Sequence, residues 1–274
     1  SGGILNATKF CGDGSCLTNL PSGGFEADDD VNLMASNTCS GCDLNGSTGC
    51  FNVLLGACAG KDVTSGHNNV SLGCGAGCKI TTGCDNIMMG KLAGYYVTSG
   101  NRNVIMGSQA GGSLGDHDYN VMIGPEAGSG VSGDNNVMIG RSAGSNRSGG
   151  SDNVFLGRYA GTGQSGTITG GHNAGIGYIT LGGVGNHEYN IAMGFRAGKA
   201  MTSGTYNIIS GYEAACSITT GYENIVVGHC AAADATTAQW NVIVGCSAGK
   251  AITCACHNVM IGRNVGLGNT GGSQ

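Results

Sequence analysis

Asn86-Ile-Met-Met-Gly-Lys-Leu-Ala-Gly-Tyr-Tyr-Val-Thr-Ser-Gly-Asn-Arg102 is one copy of a seventeen-residue unit, Asn-(Val/Ile)-x-apolar-Gly-x-x-Ala-Gly-x-x-apolar-Thr-(Ser/Thr)-Gly-x-x, that runs through the chain. Its first residue recurs at Asn52, Asn69, Asn86, Asn103, Asn120, Asn136, Asn153, Asn173, Asn190, Asn207, Asn224, Asn241 and Asn258, each followed four positions later by Gly. A fixed period of this length describes stacked supersecondary units, each too small to bury its own apolar face and each covered by its neighbours.

Composition narrows the architecture. The 274 residues include 55 Gly and only 2 Pro, with 5% aromatic and 11% charged side chains. That much Gly is too costly inside helices, and collagen requires a strict Gly triplet with abundant Pro, neither of which is present. A hydrophobic fraction of 40% at fixed positions is unlike a disordered chain. A turn-dense, all-β parallel solenoid of about 13 coils is the expected fold. Positions 2 and 4 of each unit form a short strand bounded by Gly at position 5, and further turns fall at the Ala-Gly of positions 8 and 9 and near position 15. Thirteen coils at ~4.8 Å make a rod of roughly 60 Å.

Positions 2 and 4 are nearly always apolar and are expected to point inward. The Asn at position 1 is expected to stack into a side-chain ladder, although Asn also suits left-handed turns without one. Position 3 is apolar as well: Leu54, Met88, Ile105, Met122, Met138, Phe155, Ala192, Ile209, Val226, Ile243 and Met260, with Ser71 and Gly175 as exceptions. A strand apolar on both faces is buried on both. This stripe therefore reads as a subunit interface, most simply of three rods about one axis; a single wide coil that encloses positions 2 to 4 is the competing reading.

Residues 1–31 read as a connecting segment, 32–51 as a degenerate first coil, 52–266 as the repeat domain and 267–274 as a tail. The unit at Asn120 has sixteen residues and that at Asn153 has twenty. The next unit replaces Ala-Gly by Thr180-Leu181. An extra loop on one coil is a place where binding surfaces are built, or simple drift.

The net charge of -5 with scattered Lys and Arg lacks the footprint of a nucleic-acid binder. No apolar run approaches the ~20 residues that span a bilayer. The chain opens on Ser1 without a hydrophobic leader, which reads as a processed chain or a segment of a longer one. Fourteen Cys point to an oxidising, extracellular or surface location.

Cys58 and Cys74, and again Cys230 and Cys246, share one offset between adjacent coils and are candidate disulfides. Cys11, Cys16, Cys39 and Cys42 suit disulfides better than zinc, and the pairing of Cys50, Cys78, Cys84, Cys216, Cys254 and Cys256 stays open. Asp116-His117-Asp118 is a metal candidate or a solvated turn. Paired Thr and Ser at positions 13 and 14 suggest an ice-binding face, interrupted in mid-array. No P-loop or catalytic constellation is present, so no catalytic residue, metal or cofactor is assigned.

Lys9-Phe-Cys-Gly-Asp-Gly-Ser-Cys-Leu-Thr-Asn-Leu20 resembles the Phe-x-Gly-Asp-Gly-Ser-x-Leu-Thr-Asn/Gly-Leu module of phage tail-fibre and related virion structural proteins. The Asn-Val-x-Ile-Gly-x-x-Ala-Gly units resemble the arrays that follow it, and in style the β-roll heads of trimeric autotransporter adhesins. The resemblance implies a non-enzymatic fibre or adhesin on a virion or cell surface. Its partners would be copies of itself, possible end-to-end neighbours, and a host receptor or surface glycan. An ice- or glycan-binding solenoid is the alternative.

Overall fold

The computed structural model of the protein describes residues 25–27, 32–35, 40–41, 48–163, 169–183 and 185–267. Among them there is no helix, and three-residue strands form one 15-stranded sheet whose spatial order is the chain order. β1 (Phe25–Ala27) lies antiparallel to β2 (Leu33–Ala35), and every later pairing is parallel. From β3 (Val53–Leu55) to β15 (Val259–Ile261) each strand is positions 2 to 4 of one unit, so the thirteen strands bound twelve turns of a parallel β-solenoid. Register follows the repeat: Val104 lies beside Val121 and Met106 beside Ile123.

The inward face corrects the sequence reading. Leu54, Met88, Ile105, Met122, Met138, Phe155, Ala192, Ile209, Val226, Ile243 and Met260 are between 0% and 6% exposed within their own rod. Position 3 is the core, and it is not available as an interface between chains. Positions 2 and 4 point outward and are half-buried or exposed. The reason is packing on the far side of each coil. Two more columns face position 3: the Ala of position 8, as in Ala93 and Ala110, and the apolar residue of position 12, as in Ile80, Val97, Leu114, Ile218 and Ile252. The Gly of position 9 lets the turn close onto them. A Cβ on Gly94 would meet the Met88 sulfur at 2.7 Å, and one on Gly111 the Ile105 Cδ1 at 3.0 Å. The coil has room for one large side chain per strand, and position 3 takes it.

The Asn column forms a continuous buried ladder. Asn103 donates its backbone N–H and its Nδ2 to the Oδ1 of Asn86, each at 3.0 Å, and its Nδ2 also donates to the carbonyl of His117 at 2.9 Å. Its own carbonyl accepts from Ile87 N at 2.8 Å. Every polar group of the residue is thereby satisfied inside the rod, which is why no apolar residue replaces it. The ladder reaches back to Asn32, whose Oδ1 accepts from Asn52 N at 2.8 Å.

Turns are made by backbone in left-handed conformation, at position 5 by Gly only. A Cβ on Gly107, where φ is +138°, would sit 2.5 Å from the Gly124 carbonyl oxygen of the next coil. Position 17 reaches φ values of 54° to 60° without Gly, at Asn68, Asp85, Tyr119, Tyr206, Trp240 and others. That geometry turns the amide along the rod axis, so Tyr119 N donates to the Asn101 carbonyl of the preceding coil at 3.0 Å and offsets the conformational cost.

Candidate functional site

Since position 3 is inside, the outward surface of the sheet consists of two columns, positions 2 and 4. They carry Val, Ile, Leu and Met in all but two rows, Ala174 and Ser210 being the exceptions, and no charged residue. The most open part is the second half of the rod, where Ile176, Ile191, Met193, Ile208 and Ile225 are all 41–43% exposed. Val259 and Ile261, on the last strand, reach 72% and 66%. Single exposed apolar side chains are ordinary; two columns along thirteen strands, with Ser210 the one polar residue in them, are not.

Aromatic columns border this face in sequence at positions 17 and 6. At position 6, Tyr178, Phe195, Tyr212 and His229 stack on adjacent coils with ring centroids 5.3, 5.0 and 5.1 Å apart. At position 17, His172, Tyr189 and Tyr206 stack at 4.8 and 5.0 Å, and Trp240 stacks on His257 at 4.6 Å. The Arg102 guanidinium covers the Tyr119 ring at 5.3 Å and donates to its hydroxyl. Stacked rings bind coil to coil and consume one another's faces, so they present edges to solvent and no open platform for a sugar ring.

One place departs from this. Tyr95 and Tyr96, edge to face at 4.7 Å, stand above a step where the next coils have only Gly112, Ser113 and Ser129. The drop in side-chain size opens a shallow cleft of about 450 Å³, also lined by Leu92 and Gln109. Tyr95 hydrogen-bonds the Cys78 thiol, whose pKa burial pushes up, while Tyr96 is exposed.

The irregular coils hold the buried charge. Arg147 takes position 12, an apolar core position elsewhere, and is fully buried. It donates from Nη2 to the Gly170 carbonyl at 2.6 Å and lies over the Phe155 ring at 4.9 Å. Burial lowers its pKa to about 10, so it stays charged at neutral pH. His187 occupies position 15, where most coils have Gly or Ala. Burial first, then the Arg147 charge, lowers its pKa to about 3, and neither ring nitrogen has a hydrogen-bond partner. In the same coil Gly175 leaves position 3 empty of side chain, and the space is taken by Thr180 Oγ1 and the Phe155 ring, which a Cβ on Gly175 would meet at 2.8 and 2.9 Å; Leu181, at position 9 and φ 48°, is buried as well. Most of the inserted residues, 164–168, lie outside the described part.

The remaining sequence candidates are not brought together. Cys58, Cys74, Cys230 and Cys246 are all free thiols, which corrects the disulfide expectation. Positions 6 and 7 are consecutive across a left-handed residue, with Cys58 at φ 58° and Cys230 at φ 52°. Register therefore sets Cys74 over Ala57 and Gly75 over Cys58. Cys50, Cys78, Cys84, Cys216, Cys254 and Cys256 are also free; Cys11, Cys16, Cys39, Cys42 and the module at 9–20 lie outside the described residues. In the Asp116-His117-Asp118 turn, His117 Nδ1 pairs with Asp134 at 3.2 Å, and Asp118 accepts from the Asn101 amide at 2.6 Å. No group of three metal-ligating side chains occurs among the described residues. The position-13 hydroxyls of Thr64, Thr81, Thr202, Thr219 and Thr236 donate to the next coil's carbonyl at 3.0–3.2 Å, so they serve the stack and are not freely oriented toward solvent. No helix of the described residues is long and apolar enough to cross a membrane. No protein-family model, curated protein or solved structure matches the chain.

Proposed function

We propose that the protein is a non-enzymatic structural fibre or adhesin of a virion or cell surface, a rigid rod that carries attachment or builds a filament as a homo-oligomer. One observation supports this above the others: thirteen strands in strict register on an unbroken Asn ladder. Each coil is bound to its neighbours by main-chain, amide and ring-stacking contacts along the axis, which gives stiffness over a length of roughly 60 Å. A homotrimer with an extracellular location remains the arrangement that the resemblance to fibre proteins favours. Its seam, however, must differ from the position-3 stripe. Electron microscopy of the purified protein is the test. Straight particles at least about 60 Å long and one or a few solenoids wide are expected, and compact particles would overturn the reading.

A glycan-binding reading has the Tyr95–Tyr96 cleft in its favour, because an exposed aromatic wall beside Gln109, Ser113 and Ser129 suits a sugar ring. Glycan-array binding that Tyr96→Ala abolishes would support it; an array without a hit would remove it.

A further inference from the structure

The outward face of the sheet is apolar in every row from β3 to β15 except for Ser210. We infer that a second copy of this chain covers it, with the columns of positions 2 and 4 forming the seam between rods. This deepens the fibre reading and rests on it.

Three observations select the occupant. The first is area. Thirteen rows at ~4.8 Å by three residues at ~3.3 Å give a face on the order of 600 Å². That is at the top of the roughly 300–600 Å² range of a monomer's largest apolar patch and approaches the ~800 Å² that each partner contributes to a stable complex. The aromatic columns at positions 6 and 17, with Tyr189, Tyr206 and Tyr212 44–58% exposed, add a rim of the residue type enriched at interfaces.

The second is spacing. The face is a ladder with one apolar row per strand, in register from β3 to β15. A partner that fills every row needs an equally long, flat ladder of the same repeat, and another copy supplies it. Two such faces meet as sheets do in a sandwich, about 10 Å apart with side chains interdigitated.

The third is charge. Neither column contains an ionisable residue, so a receptor or an acidic polymer finds no electrostatic handle there, and pairing the face with itself strands no charge.

The test uses the full chain. Sedimentation velocity and light scattering at micromolar concentration are expected to give assemblies of two or more copies. Ile191→Lys, Ile208→Lys and Ile225→Lys together, three adjacent rows of position 2, are expected to yield monomers with an unchanged β circular dichroism spectrum. Ser203→Lys, Thr220→Lys and Thr237→Lys add the same charge to exposed position-14 sites of the same coils and are expected to leave the mass unaltered. If the Ile→Lys set does not fold, threonine at the same three sites keeps β propensity, and the dissociation constant should rise at least tenfold. A monomeric wild type, or an assembly that neither set weakens, overturns the inference. A monomer that is still a straight rod by electron microscopy overturns this seam alone, whereas a compact particle overturns the fibre reading itself.

Discussion

The coils from Asn190 to Asn241 and those from Asn136 to Asn173 share one sheet and differ in everything behind it. In the first group position 12 is filled by Met201, Ile218, Ala235 and Ile252, all buried and apolar. In the second the same column begins with Arg147, and of the six buried side-chain nitrogen and oxygen atoms without a hydrogen-bond partner among the described residues, four gather there: Arg147 Nε, Thr180 Oγ1 and both ring nitrogens of His187. Yet the ladder is unbroken. Asn136 Nδ2 reaches Asn120 Oδ1 across the sixteen-residue coil, and Asn173 Nδ2 reaches Asn153 Oδ1 across the twenty-residue one, both at 3.1 Å. A solenoid that changes coil length keeps its strand side, where main-chain and amide bonds fix the rise. The change is absorbed in the arc from position 10 to position 16, where only side-chain packing is lost.

The largest test of that asymmetry is on the ladder. Asn207→Asp would bury a carboxylate against the Oδ1 of Asn190 and is expected to prevent folding. Asn207→Ala leaves the Asn224 amides without an acceptor and should cost about 1–3 kcal/mol for each stranded group. Urea denaturation followed by circular dichroism measures both, and equal small losses would mean that the ladder is not what fixes the rise.

The irregular arc should make the rod sensitive to acid. His187 has a folded pKa of about 3, below its ordinary value of 6.5. The folded state therefore refuses a proton that the unfolded chain accepts, so its contribution is complete above pH 6.5 and is lost as pH falls from there toward 3. The full effect is up to about 5 kcal/mol, at 1.36 kcal/mol per pKa unit. His187→Ala, the residue found at this position in Ala238 and Ala255, should flatten the stability profile between pH 6 and 4. An identical profile would show that His187 is not the buried acid-sensitive group.

Gly107→Ala, which forces a Cβ into the Gly124 carbonyl at φ +138°, should lose about 3 kcal/mol or more. Gly112→Ala, whose nearest neighbour would be Gln109 O at 3.5 Å, should be nearly neutral. Thermal melting of the two variants, from adjacent turns of one coil, separates a glycine required by close approach from one that is not.

The smallest expected change restores the regular pattern. Arg147→Met removes a buried charge without a carboxylate partner and should stabilise by about 1–2 kcal/mol, even though the Gly170 carbonyl loses a donor. A destabilised Arg147→Met variant would show that the guanidinium, through its carbonyl contacts, holds the irregular coil closed.

The repeat alone determined the solenoid, its thirteen strands, their parallel register and the Asn ladder. Each follows from a fixed period with one invariant polar residue, and stacking in register is what satisfies that residue. The direction in which the strands face was present but hard to weigh. Positions 2, 3 and 4 are all apolar, so hydrophobicity is silent on which is inside. Alternation carried the answer, since a buried Asn at position 1 places position 3 on the same side. Left-handed backbone at positions 7 and 17 had no such signal. Cys, Leu, Tyr and Trp adopt it there because the preceding coil accepts their amides, as Cys74 does for Leu92 and Tyr212 for Cys230, a contact between residues eighteen apart. The same is true of Phe155 and Thr180 filling the place over Gly175 and of His187 buried beside Arg147. Period and parity are properties of one chain read in line, whereas the volume available behind each strand depends on what the coils above and below place there. Only the folded stack decides it.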